Sequence, residues 1–118
     1  DDLRQLVEAL RILAQRYYRS RPTQEVKVRV PVPSILAMSP RIAFYAETES
    51  VPLDEADGRV MAESVMVYPP GIPVLLPGEI ATQENLSYIH ECVEAGLPVQ
   101  GPEDPNLKYV KVVKRVRP

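Results

Sequence analysis

Histidine and cysteine are the residue types that most often bind metals or act as nucleophiles, and the chain has one of each, His90 and Cys92. They lie two positions apart in a segment whose pattern predicts a helix. Side chains with that spacing point about 200° apart around a helix axis, so these two cannot share a metal ion or form a catalytic dyad. The sequence favours a partly exposed histidine beside a small buried thiol, and no metal site is expected.

The other residue types that could catalyse a reaction lack the spacing that catalysis requires. No serine stands in the Gly-x-Ser-x-Gly turn of a nucleophile, and the five glycines form no phosphate-binding loop. The carboxylate pairs Asp54–Glu55 and Glu103–Asp104 fall in predicted turns, where solvated acids are common. The lysines are interpreted as solvated strand residues: Lys27, Lys108, Lys111 and Lys114. The residues predict no self-sufficient active site.

A proline- and glycine-rich segment, residues 68–79, is the most unusual feature of the chain. It holds four prolines and two glycines among otherwise mainly apolar residues. Because proline fixes φ and has no amide hydrogen, the segment cannot be a helix interior or a central strand. We interpret it as a stiff loop that packs against a larger body, which predicts an exposed apolar patch around Ile72, Val74 and Leu75.

Glu79 ends this segment directly after Pro77–Gly78. A carboxylate held there could meet a cation across an interface or bind a basic ligand. Alternatively, Glu79 is a surface residue leaving a turn. The spacing alone supports the two interpretations equally.

Composition limits the classes of protein to which the chain can belong. Its 118 residues are enough for one domain with a modest core. Fourteen basic and sixteen acidic residues leave a net charge of −2, so no nucleic-acid partner is indicated. The apolar runs are short and contain prolines, so no membrane span is expected, and no signal peptide is visible. The single cysteine fits a reducing compartment, the cytoplasm.

Two segments have the pattern of amphipathic helices. Over the first twenty residues, apolar positions follow the i, i+3, i+4 spacing of one helix face, and Pro22 ends the pattern. No cap is visible before this helix, which suggests a cut made inside a longer chain. The second helix begins after Thr82 as N-cap and stops at Gly96. Its apolar stripe comprises Leu86, Ile89 and Val93.

Shorter elements are expected between these helices. Ser39 and Pro40 predict the start of a short helix that runs to about Ala46. Residues 25–30 alternate between charge and valine, as in a half-buried strand with its valines inward. Further expectations are a brief strand at 50–53, a helical turn at 53–58 ended by Gly58, and a strand-like path over 59–67.

The chain is expected to end in a strand. Residues 98–106 have the composition of a linker, and the valine-rich residues 107–116 predict the final strand. The lysines there recur every three residues, which does not suit a regular strand, so a bulge or an edge position is expected. The whole pattern predicts an α+β fold, a small single domain with short mixed strands and two main helices.

An ordered series of motifs, from about Val30 onward, resembles the C-terminal domain of the ornithine/lysine/arginine decarboxylases. These are pyridoxal-phosphate enzymes of the aspartate-aminotransferase fold type. The later Gly101-x-x-Asp104 and the valine-rich ending also fit that domain. The motifs are Met38-Ser39-Pro40-Arg41-x-Ala43-Phe44-Tyr45, Val51-Pro52-Leu53-x-Glu55-Ala56-x-Gly58-Arg59, Ala62-Glu63-x-Val65-Met66-x-Tyr68-Pro69-Pro70-Gly71-Ile72-Pro73 and Pro77-Gly78-Glu79.

The resemblance implies that this chain is one part of a larger enzyme of polyamine synthesis. In the family, the cofactor forms a Schiff base with a lysine that follows a histidine, and it serves as electron sink while carbon dioxide leaves. No lysine here follows the histidine. The fragment alone is therefore expected to bind no pyridoxal phosphate and to be inactive. The resemblance implies that the domain packs on the catalytic domain and helps to shape the substrate entrance and the dimer. Its expected partners are the rest of the decarboxylase chain and its dimer mate, and arginine is favoured over lysine and ornithine as substrate.

The resemblance also divides the chain and suggests a site. Residues 1–22 would be a helix that connects to the missing main domain, and residues 23–118 the C-terminal domain. The segment 68–79 would lie nearest the substrate entrance, where Glu79 would contact the substrate or fix the loop by a salt bridge. The candidate entrance and interface residues are Tyr68, Pro69, Pro70, Gly71, Pro73, Pro77, Gly78 and Glu79.

Two other functions stay open at this point. The chain could be an independent binding or regulatory module without catalysis, or a small enzyme in its own right. A reading frame that extends several hundred residues upstream, with a Ser-x-His-Lys motif, would support the decarboxylase. A start codon just before Asp1 would support the independent module, and turnover by the purified chain would support the small enzyme.

Overall fold

The N-terminal helix α1, Asp2–Tyr17, begins with an N-cap, so the expectation that no cap precedes this helix is wrong. The computed structural model describes residues 1–18, 29–68 and 71–115. Leu3 N donates to the Asp1 carboxylate at 3.3 Å, so Asp1 is the N-cap of α1. Tyr18 is extended and follows the last turn. The predicted end of this helix at Pro22 lies outside the described residues.

Two further helices begin where their capping residues predict. The short helix α2, Pro40–Tyr45, has Ser39 as N-cap and proline in its first turn. Helix α3, Gln83–Glu94, begins after Thr82 and has a capping box in which Asn85 takes part. The Asn85 side chain is buried, and its Nδ2 also donates to Val32 O at 2.9 Å. This bond fixes the chain before Ser34 to the start of α3.

In the described part of the chain, seven short strands form three small antiparallel sheets. β2, Thr48–Pro52, pairs along its length with β7, Tyr109–Val113. β3, Val65–Val67, lies between β4, Ile72–Leu75, and β6, Val99–Gln100. β1, Ile35–Leu36, pairs with β5, Glu79–Ile80. Single bridges from Val60 to Ile80 and from Met61 to Val112 connect the β1–β5 sheet to the β2–β7 sheet. The α+β prediction, with α1 and α3 as its main helices, is confirmed.

One apolar core lies between α3 and the strands. Alternation along β7 buries Val110 and Val112 and turns the residues between them outward. A short 3₁₀ helix, Leu53–Glu55, matches the predicted helical turn. The core comprises Val51, Leu53, Ala56, Met61, Val65, Val67, Val74, Leu75, Ala81, Leu86, Tyr88, Ile89, Cys92, Leu107, Val110 and Val112.

Three expectations about strands need correction. The final strand has no register shift, and Ala62 N and Val113 N bond across its second edge, so it is neither bulged nor at an edge there. Its lysine spacing is harmless because only Lys111 lies within β7. The predicted linker 98–106 contains β6. Of the predicted strand 25–30, residues 25–28 lie outside the described residues, while Arg29 and Val30 are not in a strand and Val30 is exposed.

Candidate functional site

The predicted stiff loop begins as a hairpin between β3 and β4. Gly71 N donates to Val67 O at 3.0 Å and closes the turn, and Gly71 has a φ of +87°. A β-carbon at Gly71 would lie 2.8 Å from the Tyr68 ring, so the ring covers the glycine closely. Pro69 and Pro70 lie outside the described residues. The hairpin therefore needs the conformational freedom of glycine at position 71, and a larger side chain there would displace the exposed Tyr68 ring.

The apolar part of the loop faces inward at Val74 and Leu75 and is exposed at Ile72, Pro73 and Leu76. Pro73 lies in β4, at the edge of the β4-β3-β6 sheet, which agrees with the prediction that the segment is no central strand. Val74 and Leu75 are buried in the core, so the expected exposed patch is wrong for these two residues. Ile72 is partly exposed. The strand pairing with β3 explains the difference, since it turns the end of β4 under α3.

Gly78 is the point at which the loop contacts another segment most closely. It has a φ of +92°, and a β-carbon there would lie 2.2 Å from Met38 O. Its amide donates to Met61 O at 2.9 Å, and its carbonyl accepts from Ala37 N at 2.8 Å and Met38 N at 3.2 Å. The Pro77–Gly78 turn thus holds the chain that connects β1 to α2.

Glu79 stabilises the same contact through its side chain. Its Oε2 accepts hydrogen bonds from Ser34 Oγ at 2.5 Å and from Leu76 N at 2.9 Å. Glu79 is half-buried, and no cation is paired with it among the described residues. It therefore does more than leave a turn, because its hydrogen bonds to a hydroxyl and an amide hold the loop.

The segment held by Gly78 and Glu79 is an exposed apolar feature that the sequence interpretation missed. We refer to residues 34–45 as the β1–α2 segment. Ala43 is its buried anchor, and Phe44 and Tyr45 meet edge to face with ring centroids 5.3 Å apart. The sequence does contain a signal for an exposed apolar surface, since three of the six residues of α2 are large and apolar. The large exposed side chains of the segment are Ile35, Leu36, Ile42, Phe44 and Tyr45.

His90 and Cys92, the candidates for metal binding or nucleophilic catalysis, do not form a reactive group. His90 is exposed and its Nε2 lies 2.8 Å from Asp54 Oδ1, while Cys92 is buried. This agrees with the prediction of an exposed histidine beside a buried thiol. No cluster of three metal-binding side chains occurs within the described ranges. None of the helices in those ranges is both long enough and apolar enough to cross a membrane.

The surroundings of Lys111 and Lys114 do not suit a pyridoxal-phosphate site. Lys111 bonds the Glu103 carboxylate, and this contact raises the pKa of Lys111, which favours the protonated amine over the neutral form that attacks an aldehyde. Lys114 pairs with Glu47 at 3.7 Å. The hollow beside Lys111 is lined by three carboxylates, which would repel a phosphate group. They belong to Glu63, Glu103 and Asp104.

The carboxylates of this hollow have structural roles. Glu63 accepts from the amides of Glu103 and Lys111, at 3.0 and 2.8 Å. Asp104 accepts from the amides of residues 106, 108 and 109, and these bonds, led by that from Asn106, hold its pKa below the ordinary value. Asp104 therefore closes the turn before β7, and the carboxylates of Glu63 and Asp104 already accept hydrogen bonds from backbone amides.

Comparison with known proteins gives the chain its family. The sequence profile described as Orn/Lys/Arg decarboxylase, C-terminal domain, matches residues 34–99. The chain is 55% identical over 115 residues to the arginine decarboxylase of Bacillus subtilis (strain 168), and 50% identical over 115 residues to that of Bacillus anthracis. These alignments cover 97% and 96% of this chain but 24% and 23% of the relatives.

A solved structure shows the same domain within a longer chain. The lysine decarboxylase of Francisella novicida superposes with a TM-score of 0.61 at 29% identity. The match covers 70% of this chain and 14% of that one. The chain thus spans about a quarter of the length of its curated relatives. It belongs to the Orn/Lys/Arg decarboxylase family, of which it contains the C-terminal domain.

Proposed function

We propose that this chain is the C-terminal part of a pyridoxal-phosphate-dependent decarboxylase that acts on a basic amino acid in polyamine synthesis. The observation that carries the proposal is the profile match to residues 34–99 within relatives about four times as long. Arginine is the favoured substrate, because the relatives aligned over nearly the whole chain are named arginine decarboxylases, whereas the lysine decarboxylase structure is only 29% identical.

In this proposal, the reaction centre lies in the remaining part of the longer protein. Pyridoxal phosphate, when bound there, supplies the electron sink for loss of carbon dioxide. The charges around Lys111 support this division of labour, since they do not fit the cofactor. Residues 1–22 would connect to that remaining part, and residues 23–118 would form the C-terminal domain, which alone would neither bind the cofactor nor decarboxylate a substrate.

The partners of the domain would be the rest of its own chain and the dimer mate of the enzyme, in the cytoplasm. We further propose that the loop 68–79 helps to shape the substrate entrance. The hydrogen bonds described for Glu79 all use Oε2, which leaves Oε1 for an amine or guanidinium group. In the loop, Gly71 and Gly78 would set the shape and Glu79 the charge of that entrance.

An assay of the full-length gene product tests the proposal. Carbon dioxide release should be measured with arginine, lysine and ornithine, with pyridoxal phosphate added, for the full-length protein and for the 118-residue chain. We expect the full-length protein to turn over arginine fastest and the short chain to show no turnover. Activity of the short chain, or a full-length protein inactive on all three amino acids, would contradict the proposal.

A further inference from the structure

Ser34, whose hydroxyl bonds the carboxylate of the loop, has a backbone that is anchored on both sides. Two residues before it, Val32 O accepts from the side chain of Asn85 at 2.9 Å. Three residues after it, Ala37 N donates to Gly78 O at 2.8 Å. Ser34 itself is half-buried. Its hydroxyl therefore reaches the loop from a fixed position, as a residue that orients a functional side chain must.

The two oxygens of the Glu79 carboxylate are used unequally. Oε2 accepts from Ser34 Oγ at 2.5 Å and from Leu76 N at 2.9 Å. An ionised carboxylate has about two acceptor sites on each oxygen, so these two bonds fill Oε2. Within the described residues, no donor bonds Oε1. The two bonds hold the carboxylate against rotation and leave one oxygen for a further donor.

We propose that Ser34 is a positioning residue, which holds Glu79 so that Oε1 alone accepts a hydrogen bond from the charged end of a basic substrate. The proposal rests on the proposed function and adds to its account of the entrance. A guanidinium group binds a carboxylate most strongly through two parallel N–H···O bonds, which need both oxygens. Because Oε2 is filled, a guanidinium and an ammonium group each make one bond to Glu79.

This geometry assigns a limited part of substrate selection to Glu79. A single charge-assisted hydrogen bond favours a positively charged side chain over a neutral one. It does not favour the fork of a guanidinium group over an ammonium group. Glu79 therefore selects for charge, and the preference for arginine over lysine comes from other residues of the enzyme.

Steady-state kinetics of the full-length protein with arginine and with lysine test the role of Ser34. Ser34→Ala removes one of the two donors to Oε2, so the carboxylate can turn. We expect KM to rise about tenfold for both substrates while kcat changes by less than about twofold. Ser34→Thr keeps a hydroxyl and should bring KM to within about threefold of the unsubstituted value. Ser50→Ala, which changes an exposed serine of β2, is the matched control and should alter neither constant.

Glu79→Gln tests the single contact independently of Ser34. Loss of the charge should raise KM for arginine and for lysine by factors that agree within about threefold, because each substrate loses one charge-assisted bond. Factors that differ by more than this would show that Glu79 distinguishes the two end groups, and would overturn the proposal. This variant keeps the size of the side chain, and it decides the question if Ser34→Ala does not fold.

The remaining outcomes separate this proposal from the proposed function. In a protein that decarboxylates basic amino acids, three results refute only the role of Ser34: an unchanged KM in Ser34→Ala, equal losses in Ser34→Ala and Ser34→Thr, or a loss confined to kcat. An unsubstituted protein that acts on none of arginine, lysine and ornithine refutes the proposed function, and the role of Ser34 falls with it. Melting temperatures of all variants identify any loss of KM that follows from unfolding.

Discussion

At the scale of single residues, the loop and the β1–α2 segment make their closest backbone contact at Gly78. Its positive φ is a backbone conformation that other residues adopt at a cost, and its missing side chain admits Met38 O. Gly58 has a positive φ of +70°, but a β-carbon there would meet nothing within 4 Å. Substitutions at these two glycines therefore distinguish the cost of backbone strain, present at both, from the cost of steric overlap, present only at Gly78.

We predict that Gly78→Ala lowers the free energy of unfolding by roughly 3 kcal/mol, because strain and overlap with backbone add together. Gly58→Ala, the matched control, should cost only about 1 kcal/mol, from strain alone. Urea denaturation of the 118-residue chain and both variants measures the difference. Equal losses for the two variants would mean that the close approach to Met38 does not constrain the fold.

Asp104 gives the domain a pH dependence with a defined sign. Hydrogen bonds from the amides of Asn106, Tyr109 and Lys108 hold the pKa of Asp104 below its ordinary value. A carboxyl whose pKa is lower in the folded state stabilises that state above its unfolded pKa, about 3.9, and this contribution disappears as the pH falls through the folded pKa. Neutral solution therefore favours the closed turn before β7.

We predict that Asp104→Asn lowers the melting temperature at pH 7, since one of the two acceptor oxygens becomes a donor amide. The difference from the unsubstituted chain should shrink as the pH is lowered below about 4. Thermal unfolding monitored by circular dichroism at pH 7, 5 and 3 tests this, with the exposed Asp57→Asn as control. A deficit that stays constant with pH would show that the carboxylate charge has no role in the turn.

At the scale of elements, β4 shows how a strand that contains a proline can still contribute to a core. Leu75 is fully buried, whereas Ile72, at the other end of the same strand, has 41% of its surface exposed. One end of β4 is thus part of the core, and the other end lies at the surface. Among the described residues of the loop, Tyr68, Ile72, Pro73 and Leu76 are the exposed ones.

We predict that Leu75→Ala lowers the free energy of unfolding by about 2–5 kcal/mol, because it leaves a cavity in the core. Ile72→Ala, which removes the same kind of apolar surface from an exposed site, should cost less than about 1 kcal/mol. Chemical denaturation of the 118-residue chain measures both. If Ile72→Ala proved the more costly, β4 would have to pack the other way round.

At this scale, an element can be predicted from the sequence when the signals that define it are local. Helices α2 and α3 are predictable because Ser39, Pro40, Thr82 and Gly96 are local signals that lie next to the elements they end or begin. The two-residue strands β1, β5 and β6 are not, because each exists only through a partner far along the chain. Long-range pairing carries almost no local signal.

The same limit applies to the candidate site. The loop 68–79 stands out in the sequence because proline and glycine constrain the backbone wherever they occur. The bond between Glu79 and Ser34 spans 45 positions, so the spacing of nearby residues could not distinguish a supporting carboxylate from an exposed one. The burial of Val74 and Leu75 was likewise decided by pairing with β3 and not by composition.

At the scale of the whole molecule, the domain has more apolar surface than its own core uses. Helix α1 has a stripe of leucines along one face and buries none of its sixteen residues. An isolated helix of that length is only marginally stable in water, so packing must support it. Together with the β1–α2 segment, α1 makes up much of the apolar surface that is exposed in the described part of this chain.

The most direct test of this account is to locate the lysine that holds the cofactor. The full-length protein is treated with pyridoxal phosphate and borohydride, which fixes the imine as a stable secondary amine, and the modified peptide is identified by mass spectrometry. The account predicts one modified lysine outside these 118 residues and none at Lys27, Lys108, Lys111 or Lys114. A stoichiometric pyridoxyl group on any of those four lysines would contradict it.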